Sequence, residues 1–265
     1  MRKLSLAVMT AVLAMVPALG AFAQTNEGEV IVVHGVPDLL VDVYVNGDLT
    51  LEDFAYGDVA GPLALPEGSY ALAVYAADAD PNADAPALEG SADLPAGAVA
   101  TIAAYLQEGG TPTLGVFVEN NATIEAGSAR VTARHLADFS AVDVLANDGA
   151  VFEGVTNGQG GDADVPADTY NIKITAAGDS GTVAFDADVA LAEGTNTIAY
   201  AVGSVADGSF QVVTAAITGL ADAPAGVPTG TAGLAATISP VVWAILAVLS
   251  VTALSGSVAV ARNSR

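Results

Sequence analysis

What most constrains this chain is an internal duplication with a period of about 100 residues. His34, Asp38, Val41, Asp42, Val43, Asn46 and Gly47 are answered by His135, Asp138, Val142, Asp143, Val144, Asn147 and Gly149, with the same spacing from His to Val-Asp-Val. Pro66-Glu67-Gly68-Ser69-Tyr70 is matched by Pro166-Ala167-Asp168-Thr169-Tyr170, and Thr101-Ile102-Ala103-Ala104-Tyr105 by Thr197-Ile198-Ala199-Tyr200. Solenoid units repeat every 20 to 50 residues or so. A period of this length instead predicts two copies of a domain, residues 24–120 and 121–218, each burying a core of its own.

Each copy reads as all-β. Val41, Val43 and Val45 alternate with Asp42 and Tyr44, which puts the valines on one face and the polar groups on the other. Further short runs are expected at Val30–Val33, Gly61–Leu65, Tyr70–Ala76, Leu88–Leu94, Val99–Tyr105 and Leu114–Val118, with turns at Asn46-Gly47, Glu67-Gly68 and Ala96-Gly97. Roughly seven short strands per copy, with glycine and asparagine supplying positive φ between them, predict two tandem immunoglobulin-like β-sandwich domains. The abundance of alanine is unusual for such a fold.

Val33-His34-Gly35-Val36-Pro37-Asp38, Val41-Asp42-Val43-Tyr44-Val45-Asn46-Gly47 and Leu65-Pro66-Glu67-Gly68-Ser69-Tyr70 together resemble the pattern of "domain of unknown function 4397". Val202-Gly203-Ser204-Val205-Ala206-Asp207-Gly208-Ser209 is similar to that family's closing strand and turn. The resemblance extends over nearly all of residues 29–218. It implies a bacterial or archaeal exported module, often in tandem; the family name itself supplies no activity. The second copy departs from the pattern, with Leu136-Ala137 in place of a small residue and proline, and Leu145 in place of the tyrosine.

The flanks suggest where the chain resides. Arg2-Lys3, the apolar run Leu4–Leu19 and Ala21-Phe22-Ala23 have the three regions of a secretory signal peptide, residues 1–23. Residues 238–261 are expected to form a single transmembrane helix, since Pro240–Val260 carries no charge and is long enough to cross a bilayer. The basic tail at 262–265 would then lie inside by the positive-inside rule, and 219–237, rich in Ala, Gly, Pro and Thr, would be a flexible stalk. This describes a single-pass membrane protein with an extracytoplasmic ectodomain. The alternative is attachment to the cell wall by a sortase, suggested by Val227-Pro228-Thr229-Gly230, a degenerate form of the sorting signal.

Charge narrows the partners. All 30 acidic residues lie between the two apolar segments, opposed there by Arg130, Arg134 and Lys173, so the ectodomain carries 3 − 30 = −27. Nucleic acid is excluded, because each phosphate contact needs a Lys or Arg. Glycans, proteins and cations remain as ligands. With no cysteine in the chain, disulfides, thiolate nucleophiles and soft metal ligands are excluded as well.

Few residues carry chemistry. Asp78, Asp80, Asn82, Asp84 and Glu89 occupy positions 1, 3, 5, 7 and 12 of a calcium-loop spacing. Ala83 stands where such a loop needs glycine, and Pro81 and Pro86 interrupt it. His34 and His135 are the only histidines. Each could pair with Asp38 or Asp42, and with Asp138 or Asp143, as a base and its orienter. Each also ends an apolar row, Val30-Val32 and Val131-Ala133, where a histidine would instead bond the adjoining loop. Tyr70 and Tyr105, which recur as Tyr170 and Tyr200, read as core or corner residues. The motif residues His34, Asp42, Tyr70, His135, Asp143 and Tyr170 are thus expected to be structural. The favoured expectation is a non-catalytic, surface-displayed protein with no cofactor, acting in envelope structure or in adhesion to a glycan or protein. A calcium-dependent binding module and a hydrolase using Asp42 or His34 are the alternatives.

Overall fold

A computed structural model describes residues 26–221. The expected signal peptide, transmembrane helix and basic tail lie outside the described residues, as does most of the stalk. Among the described residues there is no helix, and so none long and apolar enough to cross a membrane.

Sixteen strands form four sheets of four. The first eight are β1 (Glu27–His34), β2 (Val41–Val45), β3 (Asp48–Phe54), β4 (Val59–Pro66), β5 (Gly68–Ala76), β6 (Leu88–Leu94), β7 (Val99–Leu106) and β8 (Pro112–Glu119). They make one sandwich from sheets ordered β4-β1-β7-β8 and β3-β2-β5-β6. The next eight are β9 (Ser128–His135), β10 (Val142–Ala146), β11 (Gly149–Val155), β12 (Gln159–Pro166), β13 (Thr169–Ala176), β14 (Asp179–Ala190), β15 (Asn196–Val202) and β16 (Gln211–Ile217). Their sheets, β12-β9-β15-β16 and β11-β10-β13-β14, repeat the same order.

The strand order differs from the immunoglobulin pattern. There the first two strands pair in one sheet of a seven-stranded sandwich. Here β1 and β2 lie in different sheets, and β1 pairs in parallel with β7. The additional strand is β3, whose sequence Asp48-Leu49-Thr50-Leu51-Glu52-Asp53-Phe54 lies on an edge and exposes most of its side chains. Asn46 and Gly47, both at positive φ, turn β2 into β3.

The β4-β1-β7-β8 and β12-β9-β15-β16 sheets also pack against each other through their outer faces. All eight residues of β7 are therefore buried. Ala100 and Ile102 face the first sandwich's own core, while Val99, Ala103 and Tyr105 join Ile31 and Val33 of β1 against Ile198, Tyr200 and Val202 of β15. Strands buried on both faces read as continuous apolar runs rather than alternating ones. Small residues there, among them Ala100, Ala103, Ala104, Ala129 and Ala201, allow sheets to approach on both sides.

The strand register corrects one sequence equivalence. His34 lies beside Ala104 and His135 beside Ala201. Tyr200 is therefore the counterpart of Ala103, and Tyr105 that of Val202. Both tyrosines lie at the junction between sandwiches, but they do not repeat one another.

Candidate functional site

The motif residues all bond to backbone. His34 Nε2 lies 2.8 Å from the Leu39 carbonyl, and His135 Nε2 lies 3.0 Å from that of Ser140. Facing an acceptor, each Nε2 carries the proton, which leaves Nδ1 unprotonated in the neutral ring. Burial pushes both imidazoles below their ordinary pKa, partly offset by these carbonyl contacts. Neither histidine takes a carboxylate as its orienter. Asp42 Oδ1 accepts from Asp53 N at 2.9 Å, and Asp143 Oδ1 from Gly154 N at 2.7 Å, each eleven residues on. Asp53 and Gly154 both have positive φ, at bulges where β3 and β11 slip register against β2 and β10. The repeated aspartate thus satisfies an amide that the bulge removes from the ladder. A second amide, Gly178 N, bonds Asp143 Oδ2 at 2.9 Å, and the two bonds hold that carboxyl below the usual range.

Tyr70 and Tyr170 donate to the Pro66 and Pro166 carbonyls, closing the corners from β4 to β5 and from β12 to β13. Asn46 and Asn147 accept from Ala71 N and Asn171 N, both at 2.9 Å. Asp38 sits at positive φ, and Asp138 accepts from Gly109 N of the other sandwich at 2.8 Å.

The calcium-spaced residues are not gathered around a common point. Asp78, Asp80, Asn82 and Asp84 lie in the β5–β6 connection, whereas Glu89 lies within β6. Asp80 Oδ1 accepts from Asn82 N and Asp84 Oδ2 from Asp80 N, both at 2.9 Å, so carboxylates that a cation would need bond to the loop itself. Among the described residues no group of three or more His, Cys, Asp or Glu is disposed to hold a metal.

Two features carry more than local structure. The first is a polar cluster at the junction between sandwiches. Glu119, at the end of β8, has no exposed side-chain surface. It receives Arg134 of β9 at 2.8 Å through Nη2 and at 3.3 Å through Nε, and the Thr101 hydroxyl at 2.8 Å. Thr101 Oγ1 lies 2.7 Å from the Tyr200 hydroxyl, which burial drives well above the ordinary phenol range. Nearby, Arg130 forks onto Asp164 at 2.6 and 2.9 Å and bonds the Ala122 carbonyl at 3.0 Å, holding the segment that joins the sandwiches. Two of the three Lys and Arg residues among the described residues therefore hold this junction together.

The second is a cavity of about 270 Å³ between the sheets of the first sandwich, lined mainly by apolar side chains such as Val43, Leu72, Val74 and Ile102. Residues of both edge strands line it, Leu51 and Thr50 from β3 and Leu63 and Leu65 from β4. The second sandwich has cavities of about 100 and 10 Å³ in the corresponding region. Phe139, Phe152, Phe185 and Phe210 pack its core, whereas Phe54 alone among phenylalanines packs the first. Sequence reasoning missed this site, although the uneven share of phenylalanine between the copies was the available signal.

Comparison of the sequence with family models matches part of the chain. Residues 28–144 match the family described as "Domain of unknown function (DUF4397)". The DUF4397 match takes in the whole first sandwich, with its cavity, and continues through β9 into β10. It supports the family on this one stretch. Comparison with curated proteins returned no match.

Proposed function

We propose that this chain is a non-catalytic, surface-displayed protein built from two copies of the DUF4397 domain and acting in envelope structure or adhesion. In this reading it is exported by residues 1–23 and anchored by residues 238–261, with the paired sandwiches as an extracytoplasmic block. The observation that carries it is that His34, Asp42, Tyr70 and their counterparts His135, Asp143 and Tyr170 all bond to backbone, which leaves turns and edge strands to make contacts. An ectodomain charge of −27 favours neutral glycans or basic proteins as the recognised surface.

The test is binding of the full chain to arrays of envelope polysaccharides and extracellular-matrix proteins, with calcium and with chelator, alongside a hydrolase substrate panel. Saturable binding to one class, the same in both conditions and without turnover, is the expected result. Binding that vanishes with chelator would favour the calcium-dependent alternative, and turnover lost in Asp42→Ala or His34→Ala the hydrolase. No binding at all would leave a passive spacer.

A further inference from the structure

The first sandwich encloses about 270 Å³ where the second encloses about 100 Å³, although the two share one strand order. One pair of positions contributes to the difference, beside Phe139, Phe185 and Phe210 of the second core. Leu51 lies opposite Val43, the second valine of Val-Asp-Val, and Phe152 lies opposite Val144 in the second copy. The Phe152 ring lies across Gly161 of β12, bridging the two edge strands of its sandwich. Leu51 is shorter, and between β3 and β4 the cavity's lining reaches the exposed residues Asp48 and Thr50.

We propose that the first sandwich is a receptor that encloses one neutral, singly hydroxylated apolar molecule of about ten carbon atoms between its sheets. Size sets the carbon count, since a cavity of about 150 Å³ lined by Leu, Ile and Phe accepts benzene and this one is about 270 Å³. Apolar walls set the body of the ligand. The hydroxyl follows from His34, which lines the cavity and is 1% exposed. Its Nε2 faces the Leu39 carbonyl, so its Nδ1 offers a lone pair, and that atom has no partner; His135 Nδ1 is likewise unpartnered, but beside a cavity of only about 100 Å³. A ligand O–H supplies the missing donor. Neutrality follows from Asp48 and Asp93, exposed acids in the lining, and from the overall negative charge, which oppose a carboxylate.

This site is independent of the adhesive reading, and either can fail alone. The test titrates the full-length chain with 1-decanol, followed by methyl NMR and by Tm, with decanoate and n-decane as comparison ligands. Saturable decanol binding is expected, with intermolecular NOEs to Val43, Leu72 and Ile102 methyls and a raised Tm. Decanol should bind about tenfold tighter than decane, through the hydroxyl that reaches His34. Decanoate should bind at least about tenfold more weakly than decanol, because its charge enters an apolar space. In Leu51→Phe, which gives the first sandwich the residue of the second, affinity for decanol should fall at least about tenfold. Absence of saturable binding overturns the proposal. So does equal binding of decanol and decanoate or of decanol and decane, or NOEs confined to second-sandwich methyls such as Ile174. Should Leu51→Phe fail to fold, the wild-type NOEs decide the matter by themselves.

Discussion

Arg134 and Glu119 show how much one ion pair can weigh in a chain with so few cations. Glu119 is fully enclosed, and Arg134, whose guanidinium also stacks 5.3 Å from the Phe117 ring centre, is its one cationic partner among the described residues. Removing the arginine strands a buried carboxylate, for which the general cost is about 3–5 kcal/mol. Arg134→Met should lower unfolding stability in urea at pH 7 by about that amount, and adding Glu119→Gln should recover most of it. The histidines make a prediction with a sign. Their folded-state pKa values lie below the ordinary 6.5, so between those values and 6.5 the unfolded chain binds more protons. Their contribution is complete above pH 6.5 and is lost as pH falls toward the folded-state values, by up to about 1.4 kcal/mol per pH unit for each ring. Urea unfolding between pH 7 and 5 should show this slope, and His34→Gln with His135→Gln should flatten it. Asp143, Asp179 and Asp207, held below the ordinary 3.8 by hydrogen bonds, act only in a more acidic window. That each histidine would bond its adjoining loop was legible from its place at the end of an apolar row. The use of Asp42 and Asp143 was not, because the bulge each one caps lies on another strand.

At the level of strands, the β2–β3 hairpin shows where sequence pattern is informative and where it stops. Val41-Asp42-Val43-Tyr44-Val45 alternates and is found as β2, yet Asp42 is buried, because its carboxylate reaches across to the β3 bulge. β3 itself goes unread in sequence: Leu49 and Leu51 alternate with Asp48, Thr50 and Glu52, but the bulge at Asp53 breaks the pattern before Phe54. The opposite limit is β7, where burial on both faces erases alternation altogether. The Asp42 contact gives the hairpin a testable role. Asp42→Ala should cost about 1–2 kcal/mol, from one lost hydrogen bond and an unpaired amide. Hydrogen exchange at Asp53 should speed up more than exchange at the β5 amides that pair with β6. Equal acceleration across the whole sheet would mean that the aspartate supports the core rather than the bulge.

For the molecule as a whole, the joined outer faces determine whether two sandwiches behave as two domains or one. Had the β1-β7 and β9-β15 faces turned to water instead, Ile31, Val33, Tyr105 and Tyr200 would form exposed apolar patches, a liability for aggregation. Packed together, they couple the stability of one sandwich to that of the other. Tyr200 is the best point at which to test this. It is wholly buried, and its hydroxyl meets Thr101 of the other sandwich. In the wild-type chain the two sandwiches should unfold in a single calorimetric transition whose van't Hoff and calorimetric enthalpies agree. Tyr200→Ala removes a large side chain from the shared core and should cost about 3–5 kcal/mol. It should also split the unfolding into two transitions, because each sandwich keeps its own inner core, Val30, Leu72 and Ile102 in the first and Val142, Val144 and Ile174 in the second. If the variant still melts as one unit, coupling must run through the Arg130 and Arg134 contacts rather than the apolar junction. Arg134→Met would then be the substitution that separates the two transitions.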